Sequence, residues 1–136
     1  MTKKNKSERR QFERLERTDV IQVKEFAFPD RGQYEPARIK DISGGGLQIE
    51  SKKFLPEKTL LKIEMNFSGW QRYSKTFLKH FGAPSTRPLI VLAEVVRCNA
   101  VIIGARYDIA LVFSGIDEGQ RLALVRFIRD NLPKNS

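Results

Sequence analysis

Cysteine and histidine are almost absent from this sequence. Its 136 residues include one cysteine, Cys98, and one histidine, His80. A single cysteine excludes an internal disulfide and a multi-cysteine metal site. A single histidine leaves no partner for a histidine metal site or a catalytic dyad. The simplest interpretation is a buried or half-buried Cys98 at a strand end and a surface His80.

Long apolar segments are missing too. No run approaches the roughly 20 residues of a membrane-spanning helix, and the basic N-terminus has no apolar core of a secretory signal. We therefore expect a cytoplasmic protein without a membrane span. The run 44–46 is Gly-Gly-Gly, but the Lys-Ser/Thr that completes a phosphate-binding P-loop does not follow it. Since no catalytic triad or metal cluster is visible either, we expect a binding module rather than an enzyme, with no cofactor.

Positive charge, in contrast, is in excess. The chain has 25 basic and 16 acidic residues, a net charge of +9, which favours an anionic partner such as a nucleotide, a nucleic acid or an acidic surface. Residues 1–17 hold seven of the basic and three of the acidic residues. On charge alone, a solvated tail is the simpler explanation of this leader, and we expect residues 1–9 to form a flexible basic tail.

Alternating apolar and polar residues predict a mainly β protein. Because the strands follow one another without alternating helices, they favour a six-stranded antiparallel β-barrel over a parallel α/β sheet. The first strand changes phase, which predicts a bulge near Glu25. The predicted strands cover 20–28, 34–42, 47–50, 61–67, 89–97 and 107–113.

A short inserted helix is predicted over 69–81, within an insertion at 69–86. Ser68-x-x-Gln71 resembles a capping box, and five apolar or aromatic residues follow at helical spacing. We interpret this helix as an output or dimerisation element. Its aromatics favour a buried face, although stacking platforms for nucleic acid are the alternative. The five residues at this spacing are Trp70, Tyr73, Phe77, Leu78 and Phe81.

A C-terminal helix is predicted over 117–132, opened by Asp117-x-x-Gln120. Its arginines are expected to face away from the apolar side. That side is predicted to carry Leu122, Val125, Ile128 and Leu132.

Two short motifs carry the functional chemistry. Arg10-x-x-x-Arg14 supplies two guanidinium forks, which match phosphate oxygens and the N7 and O6 acceptors of guanine. Asp41-x-Ser43-x-x-Gly46 supplies a carboxylate and a hydroxyl on one side of a strand, followed by glycines that permit close backbone approach. Alone, the first motif is equally a pair of solvated charges, and the second is equally a hairpin turn.

In this order and context the motifs resemble the PilZ domain family, from about Glu8 to the terminal helix. That family carries Arg-x-x-x-Arg on an N-terminal loop and Asp/Asn-x-Ser-x-x-Gly on a six-stranded barrel, and its members bind the bacterial second messenger cyclic di-GMP. Two departures are a long connection at 68–88 and Ala110, where glycine is frequent. The resemblance assigns the ligand to Arg9, Arg10, Arg14, Asp41, Ser43, Gly45 and Gly46.

The resemblance implies a cyclic di-GMP receptor or effector, formed by one domain at 10–136. Ligand binding would order the N-terminal loop and signal to a downstream protein partner. Two alternatives remain open: a basic nucleic-acid-binding barrel, which is disfavoured, and a PilZ-like domain that is used only for protein–protein contact. Oligomeric state and ligand stoichiometry stay open as well.

Overall fold

The computed structural model describes residues 12–27, 32–70, 73 and 88–133. Within these ranges seven strands precede one helix, α1. The strands are β1 (Arg14–Glu16), β2 (Val20–Glu25), β3 (Glu35–Ser43), β4 (Gly46–Ser51), β5 (Leu60–Met65), β6 (Leu89–Ile102) and β7 (Arg106–Gly115), and α1 covers Glu118–Asn131.

Strands β2 to β7 close into an antiparallel barrel. The strand order runs β3-β2-β5-β6-β7-β4, and a further pairing between β4 and β3 completes the ring. This confirms the predicted mainly β architecture, a six-stranded antiparallel barrel with a C-terminal helix. The seventh strand, β1, lies outside the ring and pairs antiparallel with the last residues of β3.

The barrel closes because alternate residues of each strand point inward. In β5, Leu61, Ile63 and Met65 are at most 1% exposed, whereas Lys62 and Glu64 between them are partly exposed. Burying apolar surface stabilises the fold by about 25 cal/mol per Å², so this alternation is the main source of barrel stability. No helix in the described ranges is long and apolar enough to cross a membrane.

Helix α1 packs with a face that matches the predicted one only in part. Of the predicted residues, Ile128 is buried and Leu132 packs against the core, whereas Leu122 is 59% exposed; the other buried residues are Ala123, Leu124 and Phe127. The assignment of Leu122 was wrong because apolar residues occupy nearly every position from 122 to 128, so that periodicity alone does not select a face. Phe127 selects it, since its ring stacks on Phe67 at 5.3 Å between centroids. The predicted N-cap is present: Asp117 accepts a hydrogen bond from the backbone N–H of Gln120 at 3.1 Å.

Strand β2 ends earlier than predicted, and β6 ends later. β2 ends at Glu25 without a register shift, so the bulge expected there is wrong. The change of phase in the sequence marks the end of the strand, and Phe26 beyond it is 49% exposed. Register shifts lie elsewhere, between Ile39 and Asp41 in the pairing of β3 with β4 and at three points in the pairing of β6 with β7. β6 continues to Ile102 instead of ending at 97, and Cys98 is half-buried within it rather than at its end.

Most of the predicted insertion, 69–86, lies outside the described residues, and so does the predicted tail, 1–9. Of the aromatics of the inserted helix, the structure describes Trp70 and Tyr73. Trp70 is 1% exposed, and both rings meet Phe127 edge-on, at 5.9 and 5.5 Å. These two aromatics therefore belong to the contact between the barrel and α1.

One end of the barrel brings together parts that are distant in sequence. The turn at Gly44–Gly45 joins β3 to β4, and the carbonyl of Gly45 accepts a hydrogen bond from the Phe113 N–H of β7 at 2.9 Å. After β7 the chain enters α1, which packs against β1 and β3. Strand β1, the glycine turn and the start of α1 therefore share this end.

Candidate functional site

Strand β1 carries the arginine motif alongside the Asp-x-Ser motif. In the β1–β3 pairing, Arg14 lies opposite Ser43 and Glu16 lies opposite Asp41. Arg14 Nη1 donates a hydrogen bond to Asp41 Oδ1 at 2.7 Å. The part of the leader from Arg14 to Glu16 is therefore a strand. One residue of each motif meets the other directly.

The contact between Arg14 and Asp41 is close and only partly open to water. The two side chains are 31% and 20% exposed, so water reaches the pair and screens part of its attraction. Arg14 Nε is buried and has no hydrogen-bond partner within the described parts of the chain. Since a guanidinium has five N–H donors, Arg14 retains unused donor capacity beside Asp41.

The hydroxyl of Ser43 holds the glycine turn in shape. Ser43 Oγ accepts from the backbone N–H of Gly45 at 3.1 Å and of Gly46 at 3.2 Å, and lies 3.3 Å from the carbonyl oxygen of Gly46. The residue is 4% exposed. In this conformation the hydroxyl therefore acts as in the hairpin-turn interpretation, and it fixes the backbone next to Asp41.

The three glycines of the turn are closely packed against other parts of the chain. A Cβ added to Gly46 would overlap the carbonyl oxygen of Leu111 in β7, so the close approach of β4 to β7 requires glycine there. A Cβ added to Gly44 would lie 2.7 Å from Val125 Cγ2 and 2.8 Å from Phe12 Cδ1, and one added to Gly45 would lie 3.2 Å from Phe12 Cδ2. The Phe12 ring thus rests on a surface that the missing side chains leave open.

A residue that the sequence analysis did not assign to the site, Arg121 in the first turn of α1, reaches the same turn. Arg121 Nη1 donates to the carbonyl oxygen of Gly44 at 2.6 Å, and Nε donates to Glu118 at 3.2 Å. Its guanidinium carbon lies 5.7 Å from the centroid of the Phe12 ring. Helical spacing indicated only that Arg121 avoids the apolar face; its target depends on how α1 is seated.

Another arginine fixes the chain just after β1. Arg17 donates to both carboxylate oxygens of Asp19, at 2.6 and 3.0 Å. Its guanidinium lies 5.4 and 5.6 Å from the ring centroids of Phe127 and Phe67. Arg17 therefore ties the end of the leader to the contact between the barrel and α1.

Of the predicted site residues, Arg14, Asp41, Ser43, Gly45 and Gly46 meet at this end of the barrel. Arg9 and Arg10 lie outside the described residues. In the ranges that the structure describes, no group of three or more His, Cys, Asp or Glu side chains is arranged to hold a metal ion. The chemistry of the site is that of guanidinium, carboxylate and backbone groups.

Comparison with known families gives a match over nearly the whole chain. A model of the PilZ domain matches residues 8–130, which include both motifs, the barrel and most of α1. No curated protein matches the chain by sequence.

Solved structures share the fold at low identity. The inhibitor of motility MotI/DgrA of Bacillus subtilis has a TM-score of 0.65 and 16% identity, over 89% of this chain and 50% of that one. The PilZ domain of YcgR from Escherichia coli, solved with c-di-GMP, has a TM-score of 0.58 and 14% identity, over 90% of each chain. MrkH of K. pneumonia, solved as a c-di-GMP complex, has a TM-score of 0.56 and 15% identity, over 89% and 51%. The chain thus spans about half the length of MotI and MrkH.

Proposed function

The chain belongs to the PilZ domain family, and from this premise we propose that it is a receptor domain for cyclic di-GMP. The observation that carries the proposal is the hydrogen bond of 2.7 Å between Arg14 and Asp41. It joins the two motifs on which the proposal depends, at one end of the barrel. The ligand-bound structures of YcgR and MrkH support the choice of nucleotide for this fold.

The residues at this end suit the chemistry of the ligand. Cyclic di-GMP carries two phosphate charges and two guanines. The fork of Arg14 matches phosphate oxygens or the N7 and O6 of guanine, and Asp41 offers acceptors for guanine N1–H and N2–H. Because the ion pair between them is partly exposed, a ligand phosphate can reach Arg14 and take the place of the carboxylate as its acceptor.

The remaining assignments belong to the same proposal. Arg9 and Arg10 supply further guanidinium groups from the leader, Ser43 keeps the turn in shape beside the ligand, and Gly45 and Gly46 permit its backbone. Residues 1–9 form a tail and 10–136 one domain. Ligand binding orders the leader, and this change signals to a downstream protein in the cytoplasm.

A nucleic-acid-binding barrel is less well supported. It needs exposed aromatics near basic residues as stacking platforms. Trp70, the largest aromatic of the predicted insertion, is 1% exposed and packs on Phe127. It offers no face to a base.

Calorimetric titration with cyclic di-GMP tests the proposal. We expect the wild-type chain to bind with a Kd in the micromolar range or tighter, and Arg14→Ala to weaken binding by about 10- to 100-fold. This range corresponds to the loss of one charge-assisted hydrogen bond, about 1.5–3 kcal/mol.

Arg126→Ala is the matched control. Arg126 is exposed on α1 and takes no part in the site, so its removal subtracts one positive charge without touching the motifs. Wild-type affinity in this variant attributes the loss in Arg14→Ala to position rather than to net charge. The proposal is wrong if the wild type gives no binding heat at millimolar nucleotide, or if Arg14→Ala binds as the wild type does.

A further inference from the structure

Phe12, the glycine turn and Arg121 form a layered contact at the candidate site. The Phe12 ring covers Gly44 and Gly45 on one side. On another side it lies 5.7 Å from the guanidinium of Arg121, which itself binds the Gly44 carbonyl at 2.6 Å. An aromatic ring therefore occupies a site built from a guanidinium and bare backbone.

The stability of α1 does not depend on Arg121. The helix is anchored by buried residues such as Phe127, at 0% exposure, and it is capped by Asp117. The other partner of Arg121, Glu118, has a side chain that is 78% exposed, and such a pair is worth about 0–1 kcal/mol. The strongest contact of Arg121 is with the turn that carries the Asp-x-Ser-x-x-Gly motif.

The position of Phe12 in the sequence links this contact to the ligand. Phe12 lies between Arg10 and Arg14, so any movement of the leader that brings these arginines onto a nucleotide moves Phe12 as well. The contact of a guanidinium with an aromatic ring is worth about 0.5–1 kcal/mol at an exposed site. A planar purine that stacks on Arg121 makes up for the lost contact with Phe12, because arginine stacks on nucleobases as it does on aromatic side chains.

We propose that Arg121 is a further ligand-contacting residue, supplied by α1, and that one guanine of the ligand takes the place of the Phe12 ring on it. This inference rests on the proposed cyclic di-GMP function and extends it. The missing side chain at Gly45 then leaves room for a base, whereas Gly44 also accommodates Val125 of α1. Phe12 occupies this room in the absence of nucleotide.

Three variants, titrated with cyclic di-GMP by calorimetry, test the inference. Arg121→Ala is expected to weaken binding about tenfold. Arg121→Lys is expected to weaken it nearly as much, because lysine keeps the charge and a donor for the Gly44 carbonyl but has no planar face. Phe12→Ala is expected to tighten binding by a few-fold, since it removes the group that competes with the base.

The control is again Arg126→Ala, and a melting temperature for every variant shows that the fold is retained. Wild-type affinity in Arg121→Ala would overturn the inference. Full rescue by Arg121→Lys would also overturn it, since a role limited to charge or to positioning the turn does not need a planar group. Weaker binding by Phe12→Ala would show that Phe12 is itself a ligand contact and would overturn the exchange.

These outcomes are separate from the test of the function. If the wild type binds and Arg14→Ala does not, the receptor function stands whatever the Arg121 variants do. If the wild type fails to bind, both proposals fall together.

Discussion

Two neighbouring residues, Gly45 and Gly46, show how differently one added methyl group is tolerated within a single turn. At Gly46 the methyl group would overlap the Leu111 carbonyl, which the β-sheet holds in place. We expect Gly46→Ala to lower the free energy of unfolding by about 2–3 kcal/mol, the typical cost of overpacking. Urea denaturation measures this loss as a lower transition midpoint.

The matched comparison is Gly45→Ala. There the methyl group meets the Phe12 ring at 3.2 Å, and a side chain gives way more easily than a sheet carbonyl. Because the ring gives way, we expect Gly45→Ala to lower the free energy of unfolding by less than about 1 kcal/mol, which is below the usual cost of overpacking. Equal losses in the two variants would show that the turn, and not the approach of β4 to β7, sets the requirement for glycine.

At the same scale, the sequence predicted some site residues and missed others. Arg14 and Asp41 were recognisable because each belongs to a motif whose residue types and spacing suit phosphate and guanine. Phe12 and Arg121 belong to no such pattern. Their contact depends on how β1 and α1 are seated on the barrel, which local sequence does not encode.

At the scale of elements, α1 offers a direct test of which face is buried. Phe127→Ala removes a ring that packs on Phe67, Trp70 and Tyr73. We expect it to destabilise the protein by about 3–5 kcal/mol, the usual cost of deleting a buried phenylalanine. Thermal or urea unfolding gives the value.

Leu122→Ala is the paired control on the same helix. Leu122 is 59% exposed, and a surface substitution is expected to stay within about 0.5 kcal/mol. A loss of several kcal/mol in Leu122→Ala, together with a small loss in Phe127→Ala, would restore the helix face predicted from the sequence.

The contrast between β5 and α1 explains what could be predicted about elements. In β5 polar residues alternate with Leu61, Ile63 and Met65, so one face alone can be buried. In α1 apolar residues continue around the helix from 122 to 128, and the choice of face comes from aromatic partners on distant segments. The local sequence pattern predicts the buried face of an element only where apolar residues are confined to one side of it.

At the scale of the whole molecule, ligand binding is expected to stabilise the fold. Ligand at 100 times its Kd stabilises the native state by about 2.7 kcal/mol, provided that the unfolded chain does not bind it. For a chain of this length the melting temperature should rise on the order of 10 °C. Differential scanning fluorimetry with cyclic di-GMP measures the shift.

Arg14→Ala should lose most of this shift, measured against its own melting temperature without nucleotide. An identical shift in the wild type and in Arg14→Ala would contradict the assignment of Arg14 to the ligand.

The position of β1 outside the ring has a mechanical consequence. The pairing of β4 with β3 seals the barrel whether or not β1 is in place, and β1 has three residues bonded along one edge only. Arg17 follows β1 directly, and its contacts with Asp19 and two aromatic rings hold the chain at this point. Detachment of β1 would therefore leave the six strands of the ring paired with one another, at the cost of exposing Leu15, which is 5% exposed in the core.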